Sequence, residues 1–253
     1  MLANYLSQTA RLLQNPAAPS TLYSTADLTA YVNIARGQLA GEAECIRKIG
    51  TVTTVVGQQP YNFSSISLGT SAVTGIDGAI HVRRVAYGVG SGQRWIPGQS
   101  WEWFDLFELN NPVPQQSFPR TWAQFAQGAA PGTTGSGGGG SFYISPPPDT
   151  TYTLYCDCVC YPIALVDDTT VEAIPYLWTD AVPFFAAYYA LLSSQTSARM
   201  ADAERYYNHY QTFFERGRKA ANPSVQRWQY QQSLDPVQAA KLGIKPQQGG
   251  GGG

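Results

Sequence analysis

Three cysteines within five residues, Cys156, Cys158 and Cys160, are the first candidates for metal or redox chemistry. Side chains alternate along an extended strand, so these thiols share a face with Leu154, and Tyr155, Asp157, Val159 and Tyr161 take the other. A zinc site draws on a second ligand pair elsewhere in the chain. The remaining donors of that kind are Cys45, His81 and His209, which form no such pair. The triplet therefore reads as a row of small buried hydrophobes. Thiols at i and i+2 sit on Cα atoms roughly 6.5–7 Å apart, near or past the reach of a bridge. Neither a metal nor a mutual disulfide is expected.

The other polar candidates are weaker. His81 and His209 are far apart in sequence, and no G-x-S-x-G elbow accompanies either. His209 follows Tyr206 and Tyr207 on helical sequence and reads as a surface or interface histidine. Asp167 and Asp168 precede Thr169, Thr170 and Glu172, a pattern suited to capping a helix start. The glycines at 88, 90 and 92, and the run at 135–140, lack the Lys-Ser/Thr of a P-loop and read as a hairpin turn and a loop tip. Nothing supplies a nucleophile, a base and an orienting group together. The expectation is no enzyme, no cofactor and no metal.

The elements that would carry these residues follow from periodicity. Residues 1–14 fit a short amphipathic helix, ended by Asn15, Pro16 and Pro19. Residues 24–48 fit a longer one, capped by Ser24 with Asp27, striped by Leu28, Val32, Ala35, Leu39, Ala43 and Ile46, and stopped by Gly50. Strand patterns follow at 51–56 and 59–63, with Gly57-Gln58 placed as a hairpin turn, then at 79–89, 94–96, 122–125, 142–144 and 152–161. Residues 101–109 (WEWFDLFEL) read as a short helix. Residues 172–192 and 198–220 return to helix, with Pro183 expected to kink or divide the first.

The fold class expected is α+β. Helices at 1–50 and 166–222 form one bundle, a mainly antiparallel β-rich module at 51–165 is inserted between them, and 223–253 is an extended or disordered arm.

Composition narrows the partners. The chain has 253 residues, only 13% of them charged, with 16 Lys+Arg against 17 Asp+Glu. A duplex gripped through its phosphates calls for a basic excess, which is absent. No apolar run is long enough for a membrane span, and the opening residues lack the pattern of a secretory signal, so cytoplasmic synthesis and free thiols are expected. Sixteen Tyr, 10 Phe and 6 Trp on a charge-poor chain suit surfaces covered by other proteins.

Several segments, in order, resemble the head-to-tail adaptor (connector or neck) proteins of tailed bacteriophages. They are LTAYVNIARGQLAGEAECIRKIG running into TVTTVVGQQPYNF, then HVRRVAYGVGSGQRWIPGQSWEWFDL, then SFPRTWAQF with FYISPPPDTTYTLYCDCVCYP, and last IPYLWTDAVPFFAAYYALL with the Arg- and Tyr-rich helix after it. The resemblance covers residues 24–220. It implies a virion protein that forms a homo-oligomeric ring, usually of twelve copies, beneath the portal protein. Such a ring extends the DNA channel and docks the tail or nozzle protein, and genomic DNA passes through without sequence-specific binding. No membrane partner and no catalytic residues follow from it.

Two other readings compete. A carbohydrate-binding β-sandwich would use Trp95, Trp101 and Trp103 as a stacking platform, although about half of the chain expected to be ordered reads as helix. A tail-completion or tail-tube protein differs from the adaptor only in position. The candidate partner-binding residues lie in the C-terminal arm: Val225, Arg227, Trp228, Tyr230 and Leu234, types that include those enriched at binding hot spots.

Overall fold

A computed structural model describes residues 1–15, 22–89, 92–109, 115–126, 139–193 and 197–221. Helix α1 (Leu2–Leu12) and helix α2 (Thr25–Ala43) open the chain. The start of α2 is a full capping box: Ser24 accepts from the Asp27 amide, and the Asp27 carboxylate accepts from the Ser24 amide. Its end differs from the expectation. The helix stops at Ala43, not at Gly50, because Glu44 adopts a left-handed conformation (φ 49°). The residues beyond it are drawn into a strand, β1 (Arg47–Thr53), which pairs with a segment over a hundred residues later.

Strand β2 (Pro60–Asn62), a 3₁₀ turn (Phe63–Ser65), a single helical turn α3 (Ser71–Thr74), β3 (Ile76–Val89) and β4 (Gly92–Ile96) follow. Helix α4 (Trp101–Phe104) continues into a π-turn (Asp105–Leu109). Strands β5 (Thr121–Gln124), β6 (Ser141–Ser145) and β7 (Thr153–Pro162) complete two antiparallel sheets, ordered β1-β7-β3-β4 and β2-β6-β5. Gly57-Gln58 is therefore not a hairpin turn, since β1 and β2 belong to different sheets. The β3–β4 hairpin does form, with Val89 opposite Gly92. The fold is mixed α and β with antiparallel sheets.

Three helices close the described chain: α5 (Tyr176–Thr179), α6 (Ala181–Ser193) and α7 (Ser197–Ala221). The division falls at Asp180, just ahead of Pro183. Proline has no N–H for the carbonyl four residues back, here Thr179, and its ring crowds that carbonyl, so the helix restarts and holds Pro183 in its first turn.

One hydrophobic cluster joins Val32 and Leu39 of α2, Val85 of β3, Phe142 of β6, Leu154 and the three thiols of β7, Phe185 of α6 and Tyr210 of α7. A second cluster joins Leu13, Leu28, Ala187, Leu191 and Ala203, where the first and last helices meet. Gly217 is needed at one contact: a Cβ there would stand 2.7 Å from the Trp178 ring.

Candidate partner-binding surface

The buried charges and amides around Arg36 hold the chain together. Arg36 of α2 is fully buried and makes a forked pair with Glu172, Nε to Oε2 at 3.0 Å and Nη2 to Oε1 at 2.8 Å. Its Nη1 donates to the Ile163 carbonyl at 2.7 Å and to Asn33 Oδ1 at 3.1 Å. Asn33 in turn bonds both the amide and the carbonyl of Leu165. One turn of α2 thus clamps the chain that leaves β7, using charge-assisted bonds shielded from water. The nearby Tyr5 hydroxyl is buried with no partner, and burial first, then the Glu172 charge, pushes its pKa well up.

The thiols of β7 lie in the same interior. Cys156, Cys158 and Cys160 are free and fully buried, and burial pushes the Cys156 and Cys160 pKa values up to about 12. The Cys158 thiol donates to the carbonyl of Cys156 at 3.4 Å. Val159, on the other face, is also fully buried. Among the described residues no group of three or more His, Cys, Asp or Glu side chains could hold a metal ion.

The histidines are not brought together. His81 Nε2 lies 3.5 Å from Glu44 Oε1, while exposed His209 packs its ring against Phe184. The aspartate pair corrects its expectation. No helix starts after it. Asp167 closes its own turn by accepting from Thr169 and Thr170. Asp168 instead reaches the first turn of α1, accepting from the Ala3 amide at 2.9 Å and the Met1 amine at 2.8 Å. These bonds hold both carboxyls below the usual range. The capping chemistry was legible; the helix being capped was 165 residues away.

Two exposed regions stand apart from this interior. The exposed face of α2 leaves a groove of about 610 Å³, where Gly37 and Gly41 stand beside Ile34, Tyr161 and Pro162. The α4 segment is a second surface. Trp101 packs on Phe125 and Tyr143 with ring centres 4.6 and 4.9 Å away, and Phe104 is fully buried beneath it. Trp103 turns outward and meets the Phe107 ring at a tilt, with ring centres 5.4 Å apart, beside exposed Leu106. Trp101 and Trp103 therefore occupy different faces, and Trp95 sits on β4 under the Arg84 guanidinium. The three indoles do not make one platform. The sequence signal that would have found this surface was present: apolar residues on both sides of one short helix.

A family model described as SU10 adaptor protein matches residues 2–237. The chain belongs to that family. It is a phage adaptor protein. A search of curated proteins found no match. Among the described residues no helix of the adaptor is long and apolar enough to cross a membrane. The partner-binding residues read from the sequence, Val225, Arg227, Trp228, Tyr230 and Leu234, lie outside the described residues, and the family match takes in the arm only as far as residue 237.

Proposed function

We propose that this adaptor is a structural virion protein of the neck, forming a ring of about twelve copies beneath the portal, extending the DNA channel and docking the tail, a closed heterologous arrangement. The observation that carries the reading is the family match across residues 2–237. The physical character of the chain agrees with it. A duct through which DNA slides is served by a near-neutral chain, here of formal net charge −1, rather than by a phosphate-gripping one. The aromatic, charge-poor surface suits a subunit flanked by neighbours.

In this reading the first and last helices act as one bundle, residues 51–165 form the β-module, and the arm from residue 223 docks on the portal or on a neighbouring adaptor. Val225, Arg227, Trp228, Tyr230 and Leu234 are its anchors. Imaging intact particles with the adaptor labelled tests the position: label at the portal vertex is expected, and label along the tail tube overturns it. Truncation before Ser224 tests the arm. The body should keep its melting temperature while heads leak DNA or lack tails; normal particle yield with the truncated chain sinks the arm's role.

A further inference from the structure

Residues 101–109 carry six large apolar side chains and three carboxylates. On helical spacing Trp101, Phe104 and Glu108 face one way, and Trp103, Leu106 and Phe107 face the other. The inner face is filled by Phe125, Tyr143 and the Ser145 hydroxyl, which donates to Glu108. The outer face is not: Leu106 is 63% and Phe107 58% exposed. Apolar side chains on a second, outward side of a helix are unusual at a free surface, and an exposed apolar patch of this kind marks a docking surface. The partner must bring apolar area and positive charge, because exposed Glu102 flanks the patch.

The same chain presents that complement. Arg83, Arg84, Trp95, Ile96, Pro97 and Trp122 line a hollow of about 640 Å³. The Arg84 guanidinium stands 6.0 Å over the half-exposed Trp95 ring. The Trp122 indole N–H in its wall is buried without an acceptor. None of residues 101–109 lines the hollow of its own copy.

We propose that the outer face of the α4 segment of one copy docks into this hollow on a second copy, with Leu106 and Phe107 entering it and Glu102 facing Arg84. Acid with apolar knobs on one patch meets base with an apolar hollow on another, so the contact is heterologous and repeats from copy to copy. The inference rests on the adaptor reading only in supposing that copies assemble with one another.

The test is sedimentation of the purified full chain up to millimolar concentration. Wild type should self-associate. Glu102→Arg and Arg84→Glu should each weaken association by about thirtyfold, the effect of one hot-spot contact, and an equimolar mixture of the two should recover it, since every contact between unlike copies is then again acid to base. Phe107→Ser should weaken association by a similar factor and recover with neither. Thermal unfolding of each variant guards against loss of fold; should either charge variant melt early, Phe107→Ser and Trp95→Ser decide alone. A wild-type chain that stays monomeric, single variants that associate normally, or a mixture that fails to recover overturns the proposal. A monomer whose tryptophan fluorescence responds to oligosaccharides overturns it in favour of sugar binding. Particle position is read separately by imaging: charge-swap recovery in a chain absent from the neck would leave this contact standing and sink the neck reading.

Discussion

Arg36 and Arg84 are the same side chain in opposite circumstances. Arg36 is sealed among Glu172, Asn33 and the Ile163 carbonyl, each held at hydrogen-bond distance. Arg84 is exposed on β3, with an indole beneath it and no carboxylate paired to it among the described residues. The aromatic side chains divide in the same way. Phe185 and Tyr210 meet at 4.9 Å inside the helices, whereas Trp103 and Phe107 meet at 5.4 Å on the exposed side. The difference teaches where to look for each role: fully partnered groups hold this chain together, and groups with one side unfilled are where the proposed contact between copies is sought.

Breaking the closed site should have the largest effect. Arg36→Met strands the buried Glu172 carboxylate, and a loss of about 3–5 kcal/mol in urea unfolding is expected. The double variant Arg36→Met with Glu172→Met should recover most of it; a double variant as weak as the single would show that the pair does more than satisfy itself. Next come the tight glycines. A Cβ on Gly50 would lie 2.3 Å from Ile66 Cγ2, so Gly50→Ala should cost about 1–3 kcal/mol by overpacking, read as a lowered midpoint.

Helix caps come third. Ser24→Ala should cost about 1 kcal/mol. The carboxyls of Asp27, Asp167 and Asp168 are all held below their ordinary values, Asp27 by the Ser24 hydroxyl and amide. A group with a lowered folded pKa stabilises fully above its unfolded value and loses that contribution as pH falls through the folded one. The melting temperature should therefore fall on acidification below the ordinary carboxylate range, and the fall should be shallower in Asp168→Asn. An unchanged slope would remove Asp168 from the account. The smallest effect belongs to the open region: Phe107→Ser should leave unfolding within about 0.5 kcal/mol of wild type, and a larger loss would place Phe107 with the interior aromatics.

Much of this was written locally. The Ser24–Asp27 box, the β3–β4 turn and the one-sided thiols of β7 each follow from neighbours within a few residues. What the sequence hid was distance. Residues 44–48 carry good helix formers, yet pairing of Arg47 with Val159 and Thr51 with Tyr155 takes them into a sheet. The Gly57-Gln58 turn chemistry is genuine, but it links strands of two sheets rather than partners in one. Asn33, Arg36 and Glu172 have no local signature, because their contact is made across more than 130 residues. The outward face of α4 was open to reading as a helix apolar on both sides; the hollow that complements it needed the sheets to be in place.

Register between β1 and β7 has a consequence for the order of events on the ribosome. Synthesis runs from the first residue onward, and β1 waits for Thr153–Val159, α2 for Ile163 to Glu172, and α1 for Asp168. Until those residues emerge, α1 lacks its Asp168 cap and α2, though capped locally by Ser24 and Asp27, lacks its clamp, and long-range pairing is slow to form. The chain therefore closes late and as a unit rather than growing a folded first half. Nascent chains stalled before residue 153 should be digested by protease throughout, and full protection should appear only once α6 and α7, which complete both hydrophobic clusters, have cleared the exit tunnel, so that subunits reach assembly either complete or not at all.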